Sequence, residues 1–212
     1  CRYNVFLEIV SANTLPKEGD NNAGAPRQRK DMAATDNAAE QAAHIAEKIR
    51  AGKPTLGIEF GSTRIKAVLI DDNFQTIASG DYSWASHLED GLWSYTTGEI
   101  WGGLQSAYAS MANDVETAYG EKLTHVGHIG FSAMMHGYLA FDEAGELLVP
   151  FRTWQNTNTS EAHKKLSELF QYNIPERWSI AHLYQAVLNK EEHVSKVAYF
   201  TTLAGYVHWK LT

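Results

Sequence analysis

The chain carries a single cysteine, Cys1, in 212 residues. No internal disulfide can form, and nothing asks for an oxidising compartment. No apolar run approaches the roughly 20 residues of a membrane-spanning helix. The segment Val5-Phe6-Leu7-Glu8-Ile9-Val10 is too short and too interrupted by charge to serve as a signal peptide. Long basic blocks are missing too, and a net charge of −7 argues against a nucleic-acid groove or an anionic membrane surface as partner. Neither a Gly-x-x-x-x-Gly-Lys-Ser/Thr loop nor a Gly-x-Gly-x-x-Gly turn occurs, which removes P-loop and Rossmann readings. His125 and His128 stand three apart in an apparent strand, so they face opposite ways and share no metal. What remains, at 44% apolar residues, is a globular α/β chain for small-molecule chemistry, with the cytoplasm as its default location.

Two regions are expected. Residues 1–53 read as an N-terminal extension, aperiodic and mobile over 11–30, with one helix opening at an Asn37/Glu40 capping box and closing at Gly52 and Pro54. Cys1 in place of an initiating Met marks a fragment, a processed chain or an over-extended start, with Met32 as the candidate true start. From residue 54 the pattern predicts strands at 55–59, 65–70 and 74–82, then a long helix capped by Thr96 and Glu99, with a stripe of Leu104, Tyr108, Met111, Val115 and Ala118. A buried strand over 126–131 and a hairpin pairing 138–141 with 146–149 follow. Next come a helix marked by Ala162, Leu166, Leu169 and Phe170, a second helix capped by Ser179, a strand over 197–201 and a last helix. Glu191-Glu192 reads as a solvated helix end. The last helix reaches Thr212 without a stop signal and reads as cut.

The most informative segment is Glu59-Phe60-Gly61-Ser62-Thr63, between an apolar strand and the alternating run Ile65-Lys66-Ala67-Val68-Leu69-Ile70. A tight Gly/Ser/Thr turn serves any β-hairpin, yet this one has the parts of a phosphate cradle. Gly61 lets backbone N–H groups approach a triphosphate, Ser62 and Thr63 add hydroxyl donors, Lys66 adds positive charge, and Glu59 can hold the accompanying magnesium.

Downstream stand Phe131-Ser132-Ala133-Met134-Met135-His136-Gly137 and Phe151-Arg152-Thr153-Trp154-Gln155-Asn156-Thr157. With the hairpin and in this order, the set resembles the N-terminal half of the FGGY carbohydrate kinases, from about residue 54 to 212. The resemblance implies a ribonuclease H-like (actin-like ATPase) lobe with a mixed sheet and helices on both faces, and ATP and magnesium as cofactors. The activity it implies is phosphorylation of a sugar, a ketopentose such as xylulose, with L-ribulose or another polyol as the alternative. Glu59 stands where the family has the Asp that organises magnesium through water, and Lys66 matches the family's basic residue for the transferred phosphate. Met135-His136-Gly137 would meet the sugar, with Trp154 offering its apolar face to C–H groups. Asn156 and Asn158 replace the charged pair of the family's Trp-x-Asp-x-Arg, so a neutral amide pair stands there, with Asn156 expected among the sugar contacts, and the sugar's identity stays open.

The same resemblance places the general base and the adenosine pocket beyond residue 212. Residues 54–212 are therefore expected to form the sugar-binding lobe, truncated before the second lobe, inactive alone, with a homodimer left open. A second class of reading keeps the scaffold and drops the chemistry: a sugar-binding or regulatory protein, which Glu59, Asn156 and Asn158 favour.

Overall fold

The computed structural model describes residues 32–212, with side chains from residue 38. The aperiodic reading of 11–30 lies outside the described residues. Two compact units are separated by chain contacts: residues up to Ile58 with Lys66–Tyr82 and Leu104–Gly130 form the first, and Glu59–Ile65, Ser83–Gly103 and Phe131–Thr212 the second.

The first unit holds helix α1 (Met32–Arg50), most of strands β1 (Thr55–Phe60), β2 (Arg64–Ile70) and β3 (Thr76–Ser83), the body of helix α2 (Thr97–Tyr119) and the start of β6 (His128–Ala133). The sheet runs in the order β3-β2-β1-β6. Alternation builds its inner face: Leu56 and Ile58 from β1, and Ala67 and Leu69 from β2, are buried. The helix stripe is as read at Leu104, Tyr108, Met111 and Val115, whereas Ala118 is exposed and Ala107 is buried instead. At Gly80 of β3 the backbones of sheet and helix nearly touch, since a Cβ there would lie 2.3 Å from both the Ala107 carbonyl oxygen and the Met111 nitrogen. The Asp114 carboxylate accepts the Ser79 N–H at 3.0 Å and fastens α2 to the same strand. Gly52, at φ +62°, ends α1 with a Schellman pair, Lys53 N–H to Lys48 O and Gly52 N–H to Ile49 O.

Three expectations need correction in this unit. α1 starts before Asn37, at Met32, so Asn37 is no cap. Phe74 is not in the third strand. It sits in a turn at φ +60° and 82% exposed, because the Asp71 carboxylate collects the N–H groups of Asn73 and Gln75 and curls the chain. β6 is half-exposed along its length rather than buried, as befits the edge position of the sheet.

The second unit contains the β4–β5 ribbon (His87–Glu89 and Leu92–Ser94) and the antiparallel pair of β7 (Leu139–Phe141) and β8 (Tyr199–Thr201). Its helices are α3 (Ser160–Phe170), α4 (Ser179–Leu188) and α5 (Leu203–Leu211), with a 3₁₀ turn at Glu192–Lys196. Thr96 and Glu99 do form the capping box: Thr96 Oγ1 accepts the Glu99 N–H at 3.1 Å and Glu99 accepts the Thr96 N–H at 2.6 Å. The expected hairpin of 138–141 with 146–149 forms, through Asp142 N–H to Glu146 O at 3.1 Å, Leu148 N–H to Ala140 O at 2.9 Å and an antiparallel Phe141–Leu147 bridge, and β7 also takes β8 as a ladder partner. Leu169 and Phe170 are exposed, so α3 buries only Ala162 and Leu166. Ser179 does not cap α4. Trp178 holds that position, and the Ser179 hydroxyl goes elsewhere.

Candidate active site

The Gly/Ser/Thr turn leaves β1 after the buried Phe60 and closes with a Gly61 N–H to Arg64 O bond of 2.9 Å. A Cβ on Gly61 would stand 3.0 Å from that Arg64 oxygen, so the tightness of the turn uses the glycine. Three successive carbonyls of the turn are gripped by one stretch of chain, residues 84–95. Trp84 Nε1 donates to Gly61 O at 2.9 Å, Tyr95 Oη to Ser62 O at 2.5 Å, and the Trp84 N–H to Thr63 O at 3.1 Å. The two gripping rings stack at 4.3 Å. Burial raises the Tyr95 pKa, so its hydroxyl stays a donor.

The Trp154 loop is fastened to the same stretch of chain. Ser86 Oγ donates to Gln155 Oε1 at 2.7 Å, and the Thr153 N–H donates to Trp93 O at 3.1 Å. Asn156 is buried; its Oδ1 accepts the Trp93 N–H at 2.9 Å, and its Nδ2 donates to Trp93 O and Thr153 O at 2.9 and 3.0 Å. Both amide hydrogens are thus spent on the protein, which makes Asn156 a strut beneath the loop. Trp154, 42% exposed, stands at its surface.

Met135-His136-Gly137 joins this assembly through a backbone bridge, Tyr138 N–H to Arg152 O at 2.8 Å and Arg152 N–H to Tyr138 O at 3.1 Å. Gly137 has φ +105°, and a Cβ there would lie 2.6 Å from Arg152 O and 2.9 Å from the Phe151 ring. Only glycine fits. Its N–H donates to Arg177 O at 3.0 Å and its carbonyl accepts from Ser179 Oγ at 2.5 Å. The His136 ring stacks on Trp178, 6.5 Å between centroids, and burial followed by the Arg177 charge lowers its pKa. A neutral imidazole can both donate and accept, which suits hydroxyl recognition. Met135 is largely exposed.

Beneath these loops lies a charged network that the sequence pattern did not mark. Arg152, buried, grips Glu191 through both terminal nitrogens, while its guanidinium lies 5.5 Å from the Tyr138 ring centre. Glu191 also faces His193 Nδ1 at 3.5 Å, and His193 Nε2 meets Tyr138 Oη at 3.0 Å. Glu191 is therefore no solvated helix end. Burial pushes its carboxyl up, the Arg152 bond pulls it down, and the net is lowered. Burial lifts the Tyr138 phenol to about 12 and, with Arg152, lowers the His182 imidazole to about 4.

The three sequence segments are thus brought onto one frame, the chain from Trp84 to Tyr95 with the Tyr138–Arg152 bridge. Lys66 is exposed on β2, in the first unit. Among the described residues no group of three His, Cys, Asp or Glu side chains could cage a metal. A magnesium ion that keeps its waters needs no such cage. Trp84, Tyr95 and Trp178 escaped sequence reading because none lies in a periodic or motif-like setting.

Comparison with known proteins places the chain's fold and family. A curated xylulose kinase of Staphylococcus xylosus is 24% identical over 172 residues, covering 74% of this chain and 33% of its own length. A solved xyloylose kinase from Brucella ovis superposes with a TM-score of 0.60 at 16% identity, over 72% of this chain and 33% of that one. The Plasmodium falciparum glycerol kinase solved with ADP gives 0.52 at 17% identity, over 68% and 30%. The chain spans about a third of the length of these relatives. The fold is that of the actin-like ATPase lobe. The model described as the FGGY family of carbohydrate kinases, N-terminal domain, matches residues 55–212, and the chain belongs to that family.

Proposed function

We propose that residues 54–212 form the sugar-side lobe of an ATP-dependent carbohydrate kinase acting on a ketopentose such as xylulose, with L-ribulose or another polyol as the near alternatives. The observation that carries this reading is the fastening of the phosphate-type turn and the Trp154 loop to one stretch, residues 84–95, with Met135-His136-Gly137 bridged to that loop. A kinase needs its acceptor sugar and its phosphate site held in one frame.

In this reading Gly61, Ser62 and Thr63 present backbone and hydroxyl donors to the nucleotide's phosphates, and Lys66 stabilises charge on the group in transfer. Magnesium would neutralise phosphate charge when bound, and Glu59 would hold it through water. His136 and the exposed Trp154 orient the sugar, Met135 completes its apolar side, and Asn156 keeps the loop in shape. A cytoplasmic setting fits the use of ATP, and no helix among the described residues is long and apolar enough to cross a membrane.

A second reading, a non-catalytic sugar-binding protein, is favoured by one observation: Asn156, where the family has an Asp, has both amide hydrogens committed to the protein. Two assays separate them. Calorimetry of the 212-residue chain with a panel of pentuloses and polyols tests sugar binding, and a coupled ADP assay on a protein joining this lobe to a second lobe tests transfer. Binding with sugar-dependent ADP release supports the kinase. Binding with no release supports the second reading, and no binding of any sugar overturns both.

A further inference from the structure

The turn's three carbonyls are all engaged by residues 84–95, and this has a geometric corollary for its N–H groups. In a trans peptide the C=O and the following N–H point in opposite directions, and the described chain has no cis bonds. Holding Gly61 O on Trp84 Nε1 therefore turns the Ser62 N–H away from Trp84. Holding Ser62 O on Tyr95 Oη turns the Thr63 N–H away from Tyr95. Successive N–H groups presented together form an anion-binding concavity, whose strength depends on how rigidly the peptide planes are held.

We infer that Trp84 and Tyr95 are positioning residues for phosphate binding: they set the peptide planes of Gly61-Ser62-Thr63 so that the backbone N–H groups meet a polyphosphate. The inference rests on the reading of this turn as a phosphate site. Neither ring touches the ligand. Their stacking at 4.3 Å makes them one rigid body, and Tyr95 packs onward against Phe151 at 6.2 Å, so the clamp is anchored in the core beneath the Trp154 loop. Ordinary hairpin turns leave such carbonyls to water. Here two aromatic residues from a separate stretch supply three donors to three consecutive carbonyls, an arrangement that a turn serving only to reverse the chain does not need.

The test uses the 212-residue chain, inorganic tripolyphosphate with magnesium as probe, and the amide resonances of Ser62 and Thr63 as readout. Trp84→Phe keeps an aromatic ring for the stack and removes the side-chain donor; Tyr95→Phe removes one oxygen. In the parent, both amides are expected to shift saturably. In each variant the same shifts should need at least about tenfold more probe, the cost of one lost hydrogen bond to a charged-site loop, while the unfolding midpoint stays within a few degrees. If Trp84→Phe fails to fold, Tyr95→Phe decides. Parent-like titration of a folded variant overturns the clamp and leaves the phosphate site standing. A parent whose Ser62 and Thr63 amides ignore tripolyphosphate overturns the phosphate reading and the clamp with it. In a two-lobed kinase carrying this lobe, the same variants should lower turnover while the sugar's KM holds, a split that general destabilisation would not produce.

Discussion

Ser179 Oγ donates to the carbonyl of Gly137 across 2.5 Å, so the first residue of α4 holds the turn that presents His136. Replacing Ser179 by Ala removes that donor, and an expected loss of about 1 kcal/mol follows. Gly137→Ala should cost more, roughly 3 kcal/mol or above, since it adds left-handed strain to contact with the Arg152 oxygen. Urea unfolding of both variants checks the order. A Gly137→Ala protein as stable as the parent would contradict the geometry.

The Arg152–Glu191 pair should be costly to break and cheap to replace. Arg152→Leu alone leaves a half-buried carboxylate uncompensated, with an expected loss of about 3 kcal/mol. Adding Glu191→Leu should restore part of that loss, because no charge is then stranded. A double variant no more stable than Arg152→Leu alone would refute the argument.

Acid should weaken the second unit earlier than carboxylate titration alone would require. His182 titrates at about 4 in the folded protein and near 6.5 when unfolded. Its contribution is complete above pH 6.5 and declines as pH falls toward 4, because the unfolded chain binds the proton first. The depressed His193 acts in the same direction, and lowered Glu191 adds a further loss at more acid pH. Across that window His182 accounts for up to roughly 3 kcal/mol. Unfolding midpoints at pH 7.5 and 4.5 should differ less in His182→Gln than in the parent.

In a two-lobed enzyme, Lys66→Ala should reduce turnover by roughly a hundredfold with little change in sugar affinity, because charge on a group in transfer acts in the transition state. Steady-state kinetics with sugar and ATP varied separately measure this. An effect confined to the sugar's KM would remove Lys66 from the phosphate role.

The strands and the long capped helix were legible because local rules and burial agree there: alternation at Leu56 and Ile58, a capping box at Thr96 and Glu99. The turn at Gly61 and the Met135-His136-Gly137 segment were legible as chemistry. Their supports were not. Trp84 and Tyr95 lie 23 and 33 residues from the carbonyls their side chains hold, Gly61 and Ser62, and no local pattern encodes a donor that acts at such range. Glu191 misled for the same reason, since its partner Arg152 is 39 residues away and a Glu pair after a helix ordinarily meets water. Phe74 misled because a strand-forming residue lost to the Asp71 turn.

Gly80 fixes more than a close approach. An apolar stripe alone would let α2 slide along the sheet by a turn, about 5.4 Å, and still bury a similar face. With backbone against backbone at one glycine, such a slide brings a Cβ-bearing neighbour into space that holds none. Gly80 therefore acts as a key in a keyway. Residues along the stripe can be resized and the layer will repack, but the axial position of α2 is set by an atom that is missing.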